Sequence, residues 1–198
     1  MQHDVFNPRS ENRMSHWGLK IDFDVSKILD EILHFEDELQ TDSWKKSNRS
    51  ITGMIENCFN QCLEARPDDP DGCSAVFTNP GRDQQTFELQ LYRTNSMCDG
   101  LSVVFAVKCK NEKYYLCCAK DMKLYFKKGD CPNSIAGNYS DIIFFQKRFS
   151  EGDTNSFKFQ SSLQPDYYLA FSDEGGKHIL FLKKSCDELD ETKRFFIK

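Results

Sequence analysis

The sequence predicts an all-β domain assembled from three similar units, and three observations carry that prediction. From about residue 48 onward, short runs rich in β-branched and aromatic residues alternate with polar or Gly/Pro stretches, a pattern that suits pleated strands. Leu63, Leu116 and Leu169 recur 53 residues apart, each late in a strand-like run: Gln61-Cys62-Leu63, Tyr114-Tyr115-Leu116 and Tyr167-Tyr168-Leu169. Three units of that length nearly fill residues 43 to 198. Twelve strands in three equivalent units make a β-trefoil, a six-stranded barrel closed at one end by three hairpins; a chance repeat in an irregular β-sandwich is the alternative that periodicity leaves open. Such a closed sheet leaves few free edges, and each Leu of the triplet is expected to face the pseudo-threefold core.

The elements follow in order. Residues 25 to 39 form an amphipathic helix, because Val25, Ile28, Leu29, Ile32, Leu33 and Leu39 share one face and Asp24 supplies a cap. Strands are expected at about 50–56, 59–65, 74–78, 85–93, 101–109, 113–119, 123–128, 140–148, 156–161, 167–173, 178–184 and 194–197. Ile51, Val104 and Phe157 repeat the 53-residue step one strand before the Leu triplet. The following strand ends in a double lysine in two units, Lys127-Lys128 and Lys183-Lys184.

Composition narrows the function classes. The chain has 198 residues, enough for one domain with a tail. Its longest apolar runs, Val103 to Val107 and Ile142 to Phe145, fall far short of the roughly 18 residues that a helical membrane span needs. The first thirty residues hold nine charged side chains and no apolar stretch of signal-peptide length, so synthesis in the cytosol is expected. Net charge is −5, with no nucleic-acid footprint. That charge is unevenly divided: residues 1–42 carry 4 basic and 10 acidic side chains, residues 43–198 carry 22 and 21. An acidic tail therefore precedes a nearly neutral body, with the boundary near residue 42.

The nine cysteines are odd in number and are expected to be free thiols. Cys58-x3-Cys62 and Cys117-Cys118 could each be half of a zinc site, but no second Cys pair has ligand spacing and three of the four histidines lie in the tail. No metal or cofactor is expected. The sequons Asn48-Arg49-Ser50 and Asn138-Tyr139-Ser140 are expected to stay unmodified in a cytosolic chain. His178, alone in the body and inside an apolar run, reads as a satisfied structural histidine, and no catalytic motif accompanies it. A binding protein is expected, not an enzyme.

The C-terminal half makes the expectation more specific. Phe105-Ala106-Val107-Lys108 and Tyr114-Tyr115-x-Cys117-Cys118 are followed by Ser140-Asp141-Ile142-Ile143-Phe144-Phe145-Gln146. Phe157-Lys158-Phe159, Ser161-Ser162, Tyr167-Tyr168-Leu169-Ala170, Leu182-Lys183-Lys184 and Asp187-Glu188-Leu189 complete the order. This series resembles the interleukin-1 cytokine family over about residues 101–190 and weakly over 48–95. The resemblance implies a leaderless cytosolic precursor, with residues 1–42 as propeptide and 43–198 as the secreted cytokine. It places a processing site at Leu39, Gln40, Thr41, Asp42 and Ser43, where an inflammatory caspase would cut after Asp42. A caspase demands Asp there because arginines in its first pocket hold that carboxylate by paired charge-assisted hydrogen bonds.

The implied partners are an immunoglobulin-domain receptor chain, an accessory receptor chain and a soluble binding protein that intercepts the cytokine, with inflammatory and interferon-gamma programmes as the outcome. Lys127 and Asp141 match charged positions of the family's accessory-receptor surface; Lys46 is a further candidate receptor contact, from residues 46–60, whose alignment is too loose to assign it to either receptor chain. Two departures, Gly176 where relatives carry an acid and Phe171 where they carry Cys, put primary-receptor contacts in doubt. The helix of residues 25–39 is expected either to lay its apolar stripe on the trefoil, its acids covering basic receptor-facing positions, or to be part of a disordered acidic leader that only changes strand order at the start of the barrel. The competing reading is an intracellular or heparin/glycan-binding trefoil; growth-factor trefoils need a dense basic surface and trefoil lectins repeat Gln-x-Trp, neither of which occurs here.

Overall fold

The computed structural model describes residues 43–69, 74–81, 84–186 and 188–198. The predicted helix of residues 25–39 and the predicted processing residues Leu39 to Asp42 lie outside the described residues.

Among the described residues fourteen strands occur in chain order: β1 Ser43–Gly53, β2 Ile55–Asn57, β3 Cys62–Ala65, β4 Ala75–Thr78, β5 Phe87–Thr94, β6 Leu101–Cys109, β7 Glu112–Cys118, β8 Leu124–Lys128, β9 Ser134–Ala136, β10 Phe144–Arg148, β11 Phe157–Ser161, β12 Tyr167–Glu174, β13 Lys177–Lys184 and β14 Phe195–Ile197. Six antiparallel pairings close a ring. β1 pairs with β5, β5 with β6, β6 with β10, β10 with β11, β11 with β14, and β14 with β2, which continues β1 beyond Met54. Three hairpins, β3–β4, β7–β8 and β12–β13, stand outside this ring. A six-strand barrel with three hairpins is the β-trefoil that the repeat predicts.

The Leu triplet occupies equivalent places. Leu63 lies opposite Phe77, Leu116 opposite Phe126 and Leu169 opposite Leu182, one pair per hairpin. The three leucines are 2%, 0% and 1% exposed and belong to one central core. Phe105 joins them from β6, meeting Phe159 edge-on at a centroid distance of 4.8 Å and Phe144 at 5.7 Å. Each fully buried Leu or Phe contributes on the order of 1.5–3 kcal/mol of hydrophobic stabilisation.

Several sequence expectations need correction. Merging β1 with β2 and setting β9 aside returns twelve strands, but the first begins at Ser43, not residue 50. Its polar stretch Lys45 to Arg49 masks the alternation, whereas pairing with both β5 and β9 holds it extended. Strand β9 is three residues long and lacks apolar alternation, so local pattern could not reveal it. The strand expected from residue 59 begins at Cys62, because the Asn57 carboxamide accepts hydrogen bonds from the Phe59 and Gln61 amides and folds 57–61 into a turn. The strand expected from residue 140 begins at Phe144; the Ser140 hydroxyl accepts from the Ile142 amide and bends the chain first. The second triplet is not equivalent: Ile51 and Phe157 pack on the central core, whereas Val104 faces a second cluster on the other side of the sheet.

Candidate binding surface

That second cluster organises the predicted site residues. Trp44, Tyr92, Val104, Tyr115, Cys117, Cys131, Ile142 and Ile143 are buried together, separately from the central core. Alternation along β7 explains the division: Leu116 and Cys118 point into the barrel hairpin, so Tyr115 and Cys117 point the other way. Trp44 arrives from β1, held between Thr94 of β5 and Ile135 of β9. Its indole N–H is buried without a hydrogen-bond partner.

Lys46 enters this region from β1. Its backbone amide donates to the Asn133 carbonyl at 2.8 Å and its ammonium to the Cys131 carbonyl at 3.5 Å. Lys127 lies opposite Tyr115 in the β7–β8 ladder and is exposed. Asp141 is exposed in the loop before β10, fixed there by its carbonyl, which accepts from the Cys118 amide at 2.7 Å. Burial, aided by the Asp141 carboxylate, pushes the Cys117 thiol up to about 12 against the opposing influence of a hydrogen bond with Tyr125 and of the Lys127 ammonium. Two residues of opposite charge, 14 positions apart in sequence, thus act on one buried thiol. Lys46 acts on a different one: burial raises the Cys131 thiol and Lys46 is the main opposing influence. The structure therefore sets Lys127 and Asp141 around one buried thiol and Lys46 at another margin of the same cluster.

Tyr125 and, near Lys46, the Lys113–Asp130 ion pair share this face and went unnoticed in the sequence. Only the alternation Tyr125-x-Lys127 pointed to one of them. His178 is partnered as expected, through the Gln61 carboxamide, and its ring stacks on Phe59 at 5.2 Å. The arrangement is a charged rim over an apolar base, suited to a protein partner and without a nucleophile–base pair.

Residues 78–197 match the family model described as Interleukin-1 / 18. The chain belongs to this interleukin-1/interleukin-18 family. Interleukin-18 of the chicken, Gallus gallus, is 34% identical over 175 residues, covering 82% of this chain and 86% of that protein. Human interleukin-18 is 30% identical over 183 residues, covering 89% and 92%. Among solved structures, chicken interleukin-1 beta superposes with a TM-score of 0.59 at 14% identity, covering 78% of this chain and 98% of that one, a likeness of fold. These relatives are cytokines, not enzymes, in agreement with the sequence reading.

Gly176 and Phe171, the two positions that the resemblance set apart, each have a local role. Gly175 and Gly176, at φ +61° and +82°, form the two-residue turn between Glu174 and Lys177, a conformation that favours glycine over an acid. Phe171 is buried between Phe77 and Phe59, with ring centroids 5.7 and 5.6 Å away, so the larger side chain fills core volume.

Proposed function

We propose that this chain is the precursor of a secreted pro-inflammatory cytokine of the interleukin-18 type. Family membership across residues 78–197 carries the reading. An inflammatory caspase cuts after Asp42, removing an acidic propeptide and changing the net charge from −5 to +1. The precursor resides in the cytoplasm, and the product, residues 43–198, leaves by a leaderless route. Outside the cell it binds an interleukin-18-type receptor chain and recruits an accessory chain, both built of immunoglobulin domains. Their joined cytoplasmic regions start inflammatory and interferon-gamma programmes, and a soluble binding protein competes for the cytokine. Lys127 and Asp141 meet the accessory chain as an exposed pair of opposite charge, and Lys46 contributes from the neighbouring margin.

The first test is intact-mass analysis after exposure to an inflammatory caspase. A single cut leaving 43–198, abolished in Asp42→Asn, is the expected result; resistance of the wild-type bond rejects caspase activation. On the cleaved product, Lys127→Glu and Asp141→Lys should each reduce formation of the two-chain receptor complex while sparing binding to the first chain. Unchanged complex formation would remove both residues from the interface.

A further inference from the structure

Of the eight described thiols, only Cys98 and Cys186 are exposed. Burial pushes the thiols of Cys58, Cys62, Cys109, Cys117, Cys118 and Cys131 up, which keeps them protonated and unreactive. The two exposed thiols differ in what touches the sulfur. Cys98 Sγ has neutral partners, the Gly100 carbonyl at 3.6 Å and the Ser102 hydroxyl at 3.8 Å. Cys186 donates its S–H to the Glu188 carbonyl at 3.5 Å, and its Sγ lies 3.7 Å from the Lys193 ammonium. That ammonium is anchored. Lys193 is 5% exposed, its Nζ donates to the Lys184 carbonyl at 2.9 Å and stands 3.4 Å from the Asp190 carboxylate, and its backbone amide donates to the Asp190 carbonyl. A fixed cation beside a thiol favours the thiolate, the form that attacks disulfides.

The surroundings of Cys186 offer more than one charge. It opens on a hollow whose lining includes Lys158, Tyr168, Glu188, Leu189, Asp190 and Lys193. Strand register puts the Lys158 and Tyr168 side chains on one face: Tyr168 is the cross-strand partner of Gln160 on β11, and Lys158 is two residues from Gln160. The Tyr168 ring accordingly takes two ammonium groups, that of Lys158 at 5.8 Å and that of Lys193 at 5.9 Å from its centroid. Across the β10–β11 ladder Lys158 faces Lys147, a like charge, so a carboxylate beside Lys158 would relieve the pair. Of the two acids in the lining, Asp190 is engaged by Lys183 and Lys193, whereas Glu188 is exposed at the rim.

We propose that Cys186 is a site of mixed-disulfide formation with a small zwitterionic thiol of the glutathione class, whose carboxylate meets Lys158 and whose ammonium meets Glu188. The Cys186 thiolate attacks one sulfur of the oxidised, disulfide form. A new S–S bond forms as the old one breaks, and the departing thiolate takes a proton from solvent, so one disulfide is exchanged for another without a further oxidant. Excess reduced thiol reverses the exchange, and the adduct therefore persists only outside a strongly reducing compartment. The site is independent of processing at Asp42 and of the surface around Lys127 and Asp141.

The test is peptide mass mapping of the reduced full chain after acid-quenched exposure, near neutral pH, to glutathione disulfide or to the uncharged 2-hydroxyethyl disulfide. Both probes should modify Cys186 about tenfold faster than Cys98, the scale of one charge-assisted hydrogen bond. Lys193→Met should bring Cys186 down to the rate of Cys98, and Lys193→Arg should restore most of the difference. Lys158→Gln, on the outer face of β11, should slow glutathione disulfide about threefold, the scale of an exposed ion pair, and leave the uncharged probe unchanged. Equal rates at Cys98 and Cys186 in the wild type overturn the proposal, as does an undiminished Cys186 rate in folded Lys193→Met. An unchanged glutathione rate in Lys158→Gln overturns the assignment of the hollow to a zwitterionic thiol. Should Lys193→Met fail to fold, the wild-type comparison and the Lys158→Gln arm still decide.

Discussion

Asp190 keeps its charge against burial. Desolvation opposes ionisation, but hydrogen bonds from Lys183 and Thr192 overcome it and bring the carboxyl down to about 2. The Lys183 ammonium is 2.8 Å away and that of Lys193, itself buried, 3.4 Å away. An unfolded Asp titrates near 3.9. Because the folded value is lower, the carboxylate's contribution to stability is complete above about pH 4 and is lost as pH falls toward 2. Asp190→Asn should therefore destabilise the protein at neutral pH by about 2–3 kcal/mol, leaving the Lys193 charge poorly matched. It should also flatten the acid limb of a melting-temperature profile between about pH 4 and 2; an acid limb identical to wild type would contradict the assignment.

At the scale of elements, the three hairpins make equivalent demands. Leu63→Ala, Leu116→Ala and Leu169→Ala should each cost about 2–5 kcal/mol in urea unfolding, because each opens a cavity beneath a different hairpin. A loss below about 1 kcal/mol at any one would break the threefold equivalence. This part of the fold was legible because alternation and a fixed repeat are local signals. The start of β1 was not: Trp44 is buried by contacts from β5 and β9, which no window around residue 44 contains. The candidate surface was legible only in part. Lys127 and Asp141 emerged by resemblance, since an exposed charge has no local signature. Their shared neighbour Cys117, and the part played by Tyr125, follow from folding the β7–β8 hairpin against the loop that precedes β10. The opposition of Lys147 and Lys158 was invisible for the same reason, since the two meet only through strand pairing.

The whole barrel is held shut at one seam. The backbones of Met54 and Lys198 exchange hydrogen bonds of 2.9 and 3.0 Å beside the β2–β14 ladder. Gly53 makes that approach possible, for a Cβ there would stand 2.5 Å from the Lys198 carbonyl oxygen and 2.8 Å from Ile197. Gly53→Ala should thus loosen the barrel, lowering stability by about 1–3 kcal/mol, with amide exchange at Ile55 and Ile197 rising more than at the β5–β6 ladder. Equal protection at both places would show that the seam adapts.

The seam also sets a timetable. Ile55 pairs with Ile197, so a pairing that spans nearly the whole domain must wait for residues the ribosome adds last among the barrel strands. Until then β2 and β11 present unpaired edges, and the high contact order of such a closure places folding in the milliseconds-to-seconds regime. A nascent chain of this protein therefore spends its most aggregation-prone interval with the barrel formed on one side and open on the other, which is when a chaperone that shields strand edges would raise its yield.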